Sequence, residues 1–199
     1  MMRVGILLCA VSCTTAWEWR AGEDFTANGV TFKIQAFTPD TDAAISAAYP
    51  MTLCLHSSGS LGTDNTKQLG SGEPCYVWGD WAATTGGQQE PTILVAPQLA
   101  SGNWFEEPAA SAVRALAAAF IDGTRTVASG LKVDADRVYC TGHSNGAGGT
   151  WKLLDDGPKI FAAASISDFF DPWDFNATKV RSLAFFFCRR AKMYHRPDA

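Results

Sequence analysis

Histidine is scarce in this sequence: three occur in 199 residues, His56, His143 and His195. Any chemistry that needs an imidazole base has those three candidates. Charge is sparse too, with 16 Lys and Arg against 20 Asp and Glu and a net charge of −4. That balance supplies no basic surface for nucleic acid and no acidic run of the kind that keeps a tail solvated. Neither a Cys-x-x-Cys pair nor a His/Cys cluster has the spacing of zinc ligands, so no metal is expected and no other cofactor is implied. No internal repeat is present. Beyond the first residues there is no apolar run of the about 20 residues that cross a bilayer, so a membrane partner is not expected.

What is present is apolar material. Hydrophobic residues make up 47% of the chain, enough to give one globular domain a core. The chain starts with "MMR", continues with the apolar stretch "VGILLCAVSC" and ends that stretch with "TTA" at Ala16. A positive start, a short apolar centre and a small-residue exit predict a secretory signal peptide over residues 1–16. The mature protein is therefore expected to be secreted, with its domain over residues 17–187 and a basic tail over 188–199. Cys9 and Cys13 would leave with the signal. Cys54, Cys75, Cys140 and Cys188 remain, and four cysteines allow three pairings among which sequence does not choose. Cys54 and Cys140 sit in apolar strand runs, where the expected role is a small buried hydrophobe. "NAT" at Asn176 is an acceptor sequence for N-glycosylation in an exported chain.

In "VTFKIQAFTP", Val30, Phe32, Ile34 and Ala36 alternate with Thr31, Lys33 and Gln35, the period of a half-buried strand near a sheet edge. Met51–Leu55 reads as a fully buried strand breaking at His56 into a Ser/Gly turn, and Thr92–Ala96 as another. Residues 60–90 read as loop with one aromatic patch, "YVWGDW". Val113, Leu116, Ala117, Phe120, Ile121 and Val127 fall near helical spacing, with Gly130 as the stop. "DRVYCTG" reads as a strand, Ser144 to about Asp156 as a helix, and "FAAASIS" as a further strand. Buried strands alternating with helices predict an α/β fold with a mostly parallel sheet covered on both faces.

"GHSNG" at 142–146 places Ser144 between a buried strand and a helix. A strained strand-to-helix turn pushes a serine hydroxyl outward, and Gly142 and Gly146 leave room for the tight crossing. The helix directs its N-terminus at developing negative charge. The N–H of Asn145 is then one oxyanion donor, and the loop "LHSSGS" offers a second from Ser57 or Ser58. His143 reads as a packing residue.

Taken in order, "LHSSGSLGTDN", "ILVAPQ", "DADRVYCTGHSNGAGGTW" and "FAAASISD" resemble the serine esterases of the α/β-hydrolase superfamily. The similarity is to the polyester depolymerase-like, feruloyl-esterase-like and phospholipase/carboxylesterase-like groups, over about residues 30–187. It implies ester hydrolysis through an acyl-enzyme on Ser144, with a small-molecule or polymeric ester as substrate. Ser57 stands where that group usually has glycine. The group's chain order is Ser, then Asp or Glu, then His. Its acid turn would follow "SLAFFFC", but here Arg189, Arg190, Ala191 and Lys192 come next, with no carboxylate before Asp198.

The expectation is therefore a hydrolase-like sheet whose last strand and helix are missing. An acid one strand earlier, Asp168, Asp171 or Asp174, with His195 folding back, is the arrangement that would complete a triad. Loss of the histidine costs a serine hydrolase on the order of 10⁶ in turnover. A non-catalytic or truncated hydrolase-like domain is thus the alternative to an active esterase. Trp104 and Phe105, with Phe169, Phe170 and Trp173, follow strand ends where α/β sheets bind ligands. Trp104, Phe169 and Trp173 are the candidate substrate contacts.

Overall fold

The computed structural model describes residues 17–39, 48–84, 91–126, 131–156, 160–167 and 184–188. Eight strands form one mixed sheet: β1 (Trp17–Ala21), β2 (Phe25–Ala27), β3 (Val30–Pro39), β4 (Ala48–Leu55), β5 (Ile93–Leu99), β6 (Lys132–His143), β7 (Ala163–Ser167) and β8 (Ala184–Cys188). Their order is β1-β3-β5-β4-β6-β7-β8, with β2 on β3. From β5 to β8 all pairings are parallel, whereas β3 runs antiparallel to β1, β2 and β5. Among the described residues three helices pack on the sheet: α1 (Pro74–Ala82), α2 (Ala109–Ile121) and α3 (Asn145–Asp156).

The period-two strand is β3, with Phe32, Ile34 and Ala36 buried. It lies one place in from the edge, which β1 occupies. Every residue of β5 and the stretch Met51–Leu55 of β4 are buried, as strands covered on both faces must be. Side chains divide between the faces by parity. Met51, Leu53, Leu55, Ile93, Val95, Val138 and Cys140 meet α2 and α3 in the larger core. Cys54, Leu94, Ala96 and Phe37 meet α1 in a smaller one, flanked by Trp17, Trp19 and Trp78.

Three sequence expectations need correction. The loop assigned to 60–90 contains α1, which starts with Pro74 in its first turn. There the missing proline N–H costs nothing, because a helix start has no acceptor for it. Gly79, which obscures the helical pattern, lies where a Cβ would come within 3.0 Å of the Trp19 indole nitrogen. The second helix ends at Ile121 instead of running toward Gly130: Gly123 adopts φ +75°, a left-handed stop, and Val127 lies outside the described residues. Cys54 is not a small buried hydrophobe but half of a disulfide to Cys75, which bolts α1 to β4. Cys140 is a buried thiol, its pKa pushed up to about 12 by the apolar surroundings.

Candidate active site

Ser144 occupies the one-residue junction between β6 and α3, half-buried and at φ +53°. For a residue other than glycine this left-handed backbone is strained, so the surroundings must hold it. They do so from both sides: the Ser144 N–H donates to the Ser167 carbonyl at the end of β7 (3.1 Å), and its carbonyl accepts the Gly148 N–H (3.1 Å). The crossing is tight enough to exclude side chains. A Cβ on Gly142 would collide with the Gly146 carbonyl, and one on Gly146 with the Leu55 carbonyl. Gly149, which the sequence did not single out, is equally constrained, because Trp104 packs directly on it.

The first turn of α3 leaves its N–H groups without intrahelical acceptors, so the Asn145 N–H stands at the positive end of the helix. The Asn145 side chain has a second task. Its Oδ1 accepts the Trp104 N–H (3.1 Å) and its Nδ2 donates to the Gly102 carbonyl (3.3 Å), tying the loop after β5 to the elbow. Thr150, one turn further on, donates to the Gly146 carbonyl (3.0 Å) and lies 3.5 Å from the Cys140 sulfur, locking α3 onto β6.

Trp104 is not placed as a substrate contact. It is fully buried, its Nε1 donates to the His56 carbonyl (2.9 Å), and its ring packs edge-on against His56 at 4.9 Å between centroids. It supports the elbow from beneath. His56 is also structural: the Leu99 N–H donates to its Nε2 (3.0 Å) and its Nδ1 faces the Ser57 carbonyl (2.7 Å). A nitrogen that accepts an N–H is unprotonated, so the Nδ1–H tautomer satisfies both contacts. Burial lowers the His56 pKa and keeps the ring neutral.

The loop after β4 brings a second correction. The Ser57 N–H is already engaged, donating to Glu73 Oε2 at 2.9 Å. Of the two sequence candidates, Ser58 is the one whose N–H the loop leaves available. Its residue is exposed and opens a short 3-10 turn, Ser58–Ser60. Glu73 was overlooked because it lay in a stretch read as loop. The signal was a carboxylate immediately before a helix-starting proline.

Further out, the fully buried Gln98 accepts the Asn65 N–H (2.6 Å) and donates to the Ser60 carbonyl (3.1 Å). Asp64 accepts the Thr66 and Lys67 N–H groups (both 2.9 Å) and the Thr66 hydroxyl. Those bonds hold its carboxyl well below the ordinary range. Among the described residues no three His, Cys, Asp or Glu side chains cluster as metal ligands, and no helix is long and apolar enough to cross a membrane. The remaining candidates, Asp168, Asp171, His195, Phe169, Trp173 and the sequon at Asn176, lie outside the described residues, as do 1–16 and Asp174.

No protein-family model matches the chain, and no curated protein does. Solved structures do. A thermostable esterase superposes with a TM-score of 0.69 at 24% identity over 85% of this chain. The fold is that of the α/β hydrolases. This chain covers 45% of that esterase's length. The Ser-to-Ala mutant of the feruloyl esterase module from Clostridium thermocellum, complexed with sinapinate, matches with a TM-score of 0.63 at 16% identity, over 89% of this chain and 68% of the module. A fluorophosphonate-binding serine hydrolase of Staphylococcus aureus matches with a TM-score of 0.54 at 12% identity, over 84% and 65% of the two chains. Within this fold the elbow joins the carboxyl end of β6, the strand next to β4, and it is at the carboxyl ends of such strands that open α/β sheets bind ligands.

Proposed function

We propose that this chain is a secreted serine hydrolase of carboxylic esters with Ser144 as nucleophile. The observation that carries the reading is the φ of +53° at Ser144, held by glycine-only crossings at the start of α3. A strained serine at a helix N-terminus has few structural uses, and nucleophilic attack is the one it suits. The likeness to solved esterases supports ester hydrolysis in general.

In this reading Ser144 Oγ attacks the ester carbonyl. The Asn145 N–H and the Ser58 N–H hold the oxygen as it gains charge, and the alcohol leaves to give an acyl-enzyme that water hydrolyses. His195 takes the serine proton and returns it to the leaving alcohol. Asp171 or Asp168 orients the imidazole. Phe169 and Trp173 would line the acyl side of the site, which suits an aromatic or polyester acyl group. Export by the 1–16 signal and glycosylation at Asn176 belong to the same proposal.

The test is labelling of the full chain with a fluorophosphonate probe. Ser144 is expected to be modified in the wild type, and labelling should vanish in Ser144→Ala and drop by orders of magnitude in His195→Ala. A folded wild-type chain that takes no label would leave the second reading, a hydrolase fold without a working base. That reading is favoured by the basic run from Arg189 to Lys192, where the resembling esterases carry their acid.

A further inference from the structure

Glu73 is a carboxylate at 6% exposure, and a charge taken that far from water must be matched by donors. Three donors meet it, all from one short loop. The Ser57 N–H reaches Oε2 at 2.9 Å, while the hydroxyls of Ser57 and Ser60 reach Oε1 at 2.6 Å each. Glu73 stands directly before α1, yet its side chain makes no capping bond to that helix. Those three hydrogen bonds all run to the loop that follows β4. The carboxylate is itself fixed from behind, since Cys75, two residues on, is bonded to Cys54 in the same strand that carries the loop.

The consequence is a choice between two backbone donors. Ser57 is used up: its N–H goes to Glu73, and its carbonyl accepts the Ser60 N–H (3.1 Å) and faces His56 Nδ1. Ser57 is extended, at φ −72° and ψ 169°, and the turn begins one residue later. That turn takes up the N–H groups of Ser60 and Leu61 on the carbonyls of Ser57 and Ser58. It provides no acceptor for the Ser58 N–H, as the first donor of any 3-10 turn has none within it.

We infer that Glu73 is a positioning residue of the oxyanion site: it draws the Ser57 N–H inward and so makes the Ser58 N–H the donor that the β4 loop offers. This rests on the serine-esterase reading of Ser144. It goes beyond that reading by assigning the selection of the donor to a residue that touches no substrate.

The experiment compares the full-length wild type with Glu73→Gln, Glu73→Ala and Ser58→Pro, measuring two quantities. The first is amide hydrogen exchange at Ser57, read against the buried β4 amide of Leu53 as an internal control for folding. The second is fluorophosphonate inactivation, separated into binding and the first-order step. In Glu73→Ala, Ser57 exchange should rise about tenfold or more while Leu53 is unchanged, the loss expected where a single hydrogen bond of roughly 1.5–3 kcal/mol to a charged group is removed. The first-order step should fall by about 10²-fold with binding retained, as small displacements of a catalytic donor do.

Glu73→Gln, which keeps an acceptor for the Ser57 N–H, should recover most of both. Ser58→Pro deletes the donor outright and should cost about 10²–10³ in the first-order step, with Ser57 still protected. Unchanged Ser57 exchange in both Glu73 variants, or full reactivity in Ser58→Pro, overturns the inference. If the wild type is never labelled, the esterase reading fails by itself. Ser57 exchange then decides on the clamp: protection lost in Glu73→Ala upholds it, and protection kept refutes it.

Discussion

The face of the sheet under α2 and α3 and the face under α1 are held together by different means. The first is an apolar interior that runs without a break from Phe32 on β3 to Ile166 on β7, with Val113, Leu116 and Phe120 of α2 and Leu153 and Leu154 of α3 closing it. The second has six buried residues in its cluster and a covalent bolt, Cys54–Cys75. Beyond α1 this face is not filled: Thr52, Tyr139, Thr141 and Ser165 help to line a cavity of about 730 Å³ walled by Trp78 and Trp81. Burial of apolar area stabilises a face in proportion to the side chains it hides, at about 1.5–3 kcal/mol for each large one. A face with few of them depends more on constraining the chain. The elbow is built on the richer face, where Leu55, Trp104 and Gly149 meet, while the loop after β4 is clamped from the poorer one by Glu73.

The sharpest way to break this contrast is to make one substitution on both faces. Gly146→Ala places a Cβ into the Leu55 carbonyl and within 2.8 Å of the His56 carbonyl, where only backbone can yield. We expect a loss of about 4 kcal/mol or more, the range reserved for such collisions, with Ser144 thrown out of its strained geometry. Gly79→Ala in α1 meets the Trp19 ring at 3.0–3.3 Å, a side chain on an edge strand that can shift. The helix gains up to about 1 kcal/mol from the alanine, so the net change there should stay near zero. Urea unfolding of both variants measures the difference. Equal effects would show that the elbow crossing is no tighter than the packing under α1.

Removing the bolt is the next largest effect. Cys54 and Cys75 are 21 residues apart in sequence, and closing a loop of that size restricts the unfolded chain by about 3 kcal/mol. The Cys54→Ala/Cys75→Ala double variant should lose that much, and reductant should produce the same loss in the wild type but none in the variant. Thiol titration sharpens the result. Cys140, buried on the other face, should stay unreactive in the native protein until it unfolds. If the double variant matches the wild type, the poorer face is held by its tryptophans and not by the disulfide.

The parts legible in the sequence were those in which local pattern and tertiary role coincide. Phe32, Ile34 and Ala36 announced β3 because one face of that strand is core, and "GHSNG" announced the elbow because backbone collisions leave glycine no substitute at 142 and 146. What was illegible depended on partners far away in the chain. Nothing around Cys54 distinguishes a buried thiol from half of a disulfide until Cys75 is brought within 5.5 Å between Cα atoms. Trp104 sits after a strand end, where a substrate wall is a fair expectation. It turns inward because the His56 carbonyl, 48 residues away, needs a donor. Glu73 was hidden twice, by the glycine that disguises α1 and by serine partners 13 and 16 residues earlier.

His56 joins the two faces, since it directly follows β4, holds β5 through the Leu99 N–H and contacts the loop after β4 through the Ser57 carbonyl. Its effect is the smallest expected and the most specific. Burial depresses its pKa below the ordinary 6.5, with the hydrogen bond to the Ser57 carbonyl and then the nearby Glu73 and Asp64 charges only partly offsetting the desolvation. In the unfolded chain the ring binds a proton near pH 6.5, whereas in the folded protein it resists until a lower pH. Between those two values the unfolded state holds more protons, so stability falls as the pH drops through that window. Above pH 6.5 the contribution is fully present. Protonation of Nε2 would also remove the acceptor of the Leu99 N–H, and a cation there would face a buried donor. Thermal unfolding followed from pH 7.5 to 5 should therefore decline in the wild type, and less steeply in His56→Gln, which does not titrate. A His56→Gln curve parallel to the wild type would assign the acid sensitivity to other groups and leave His56 as a neutral spacer between the strands.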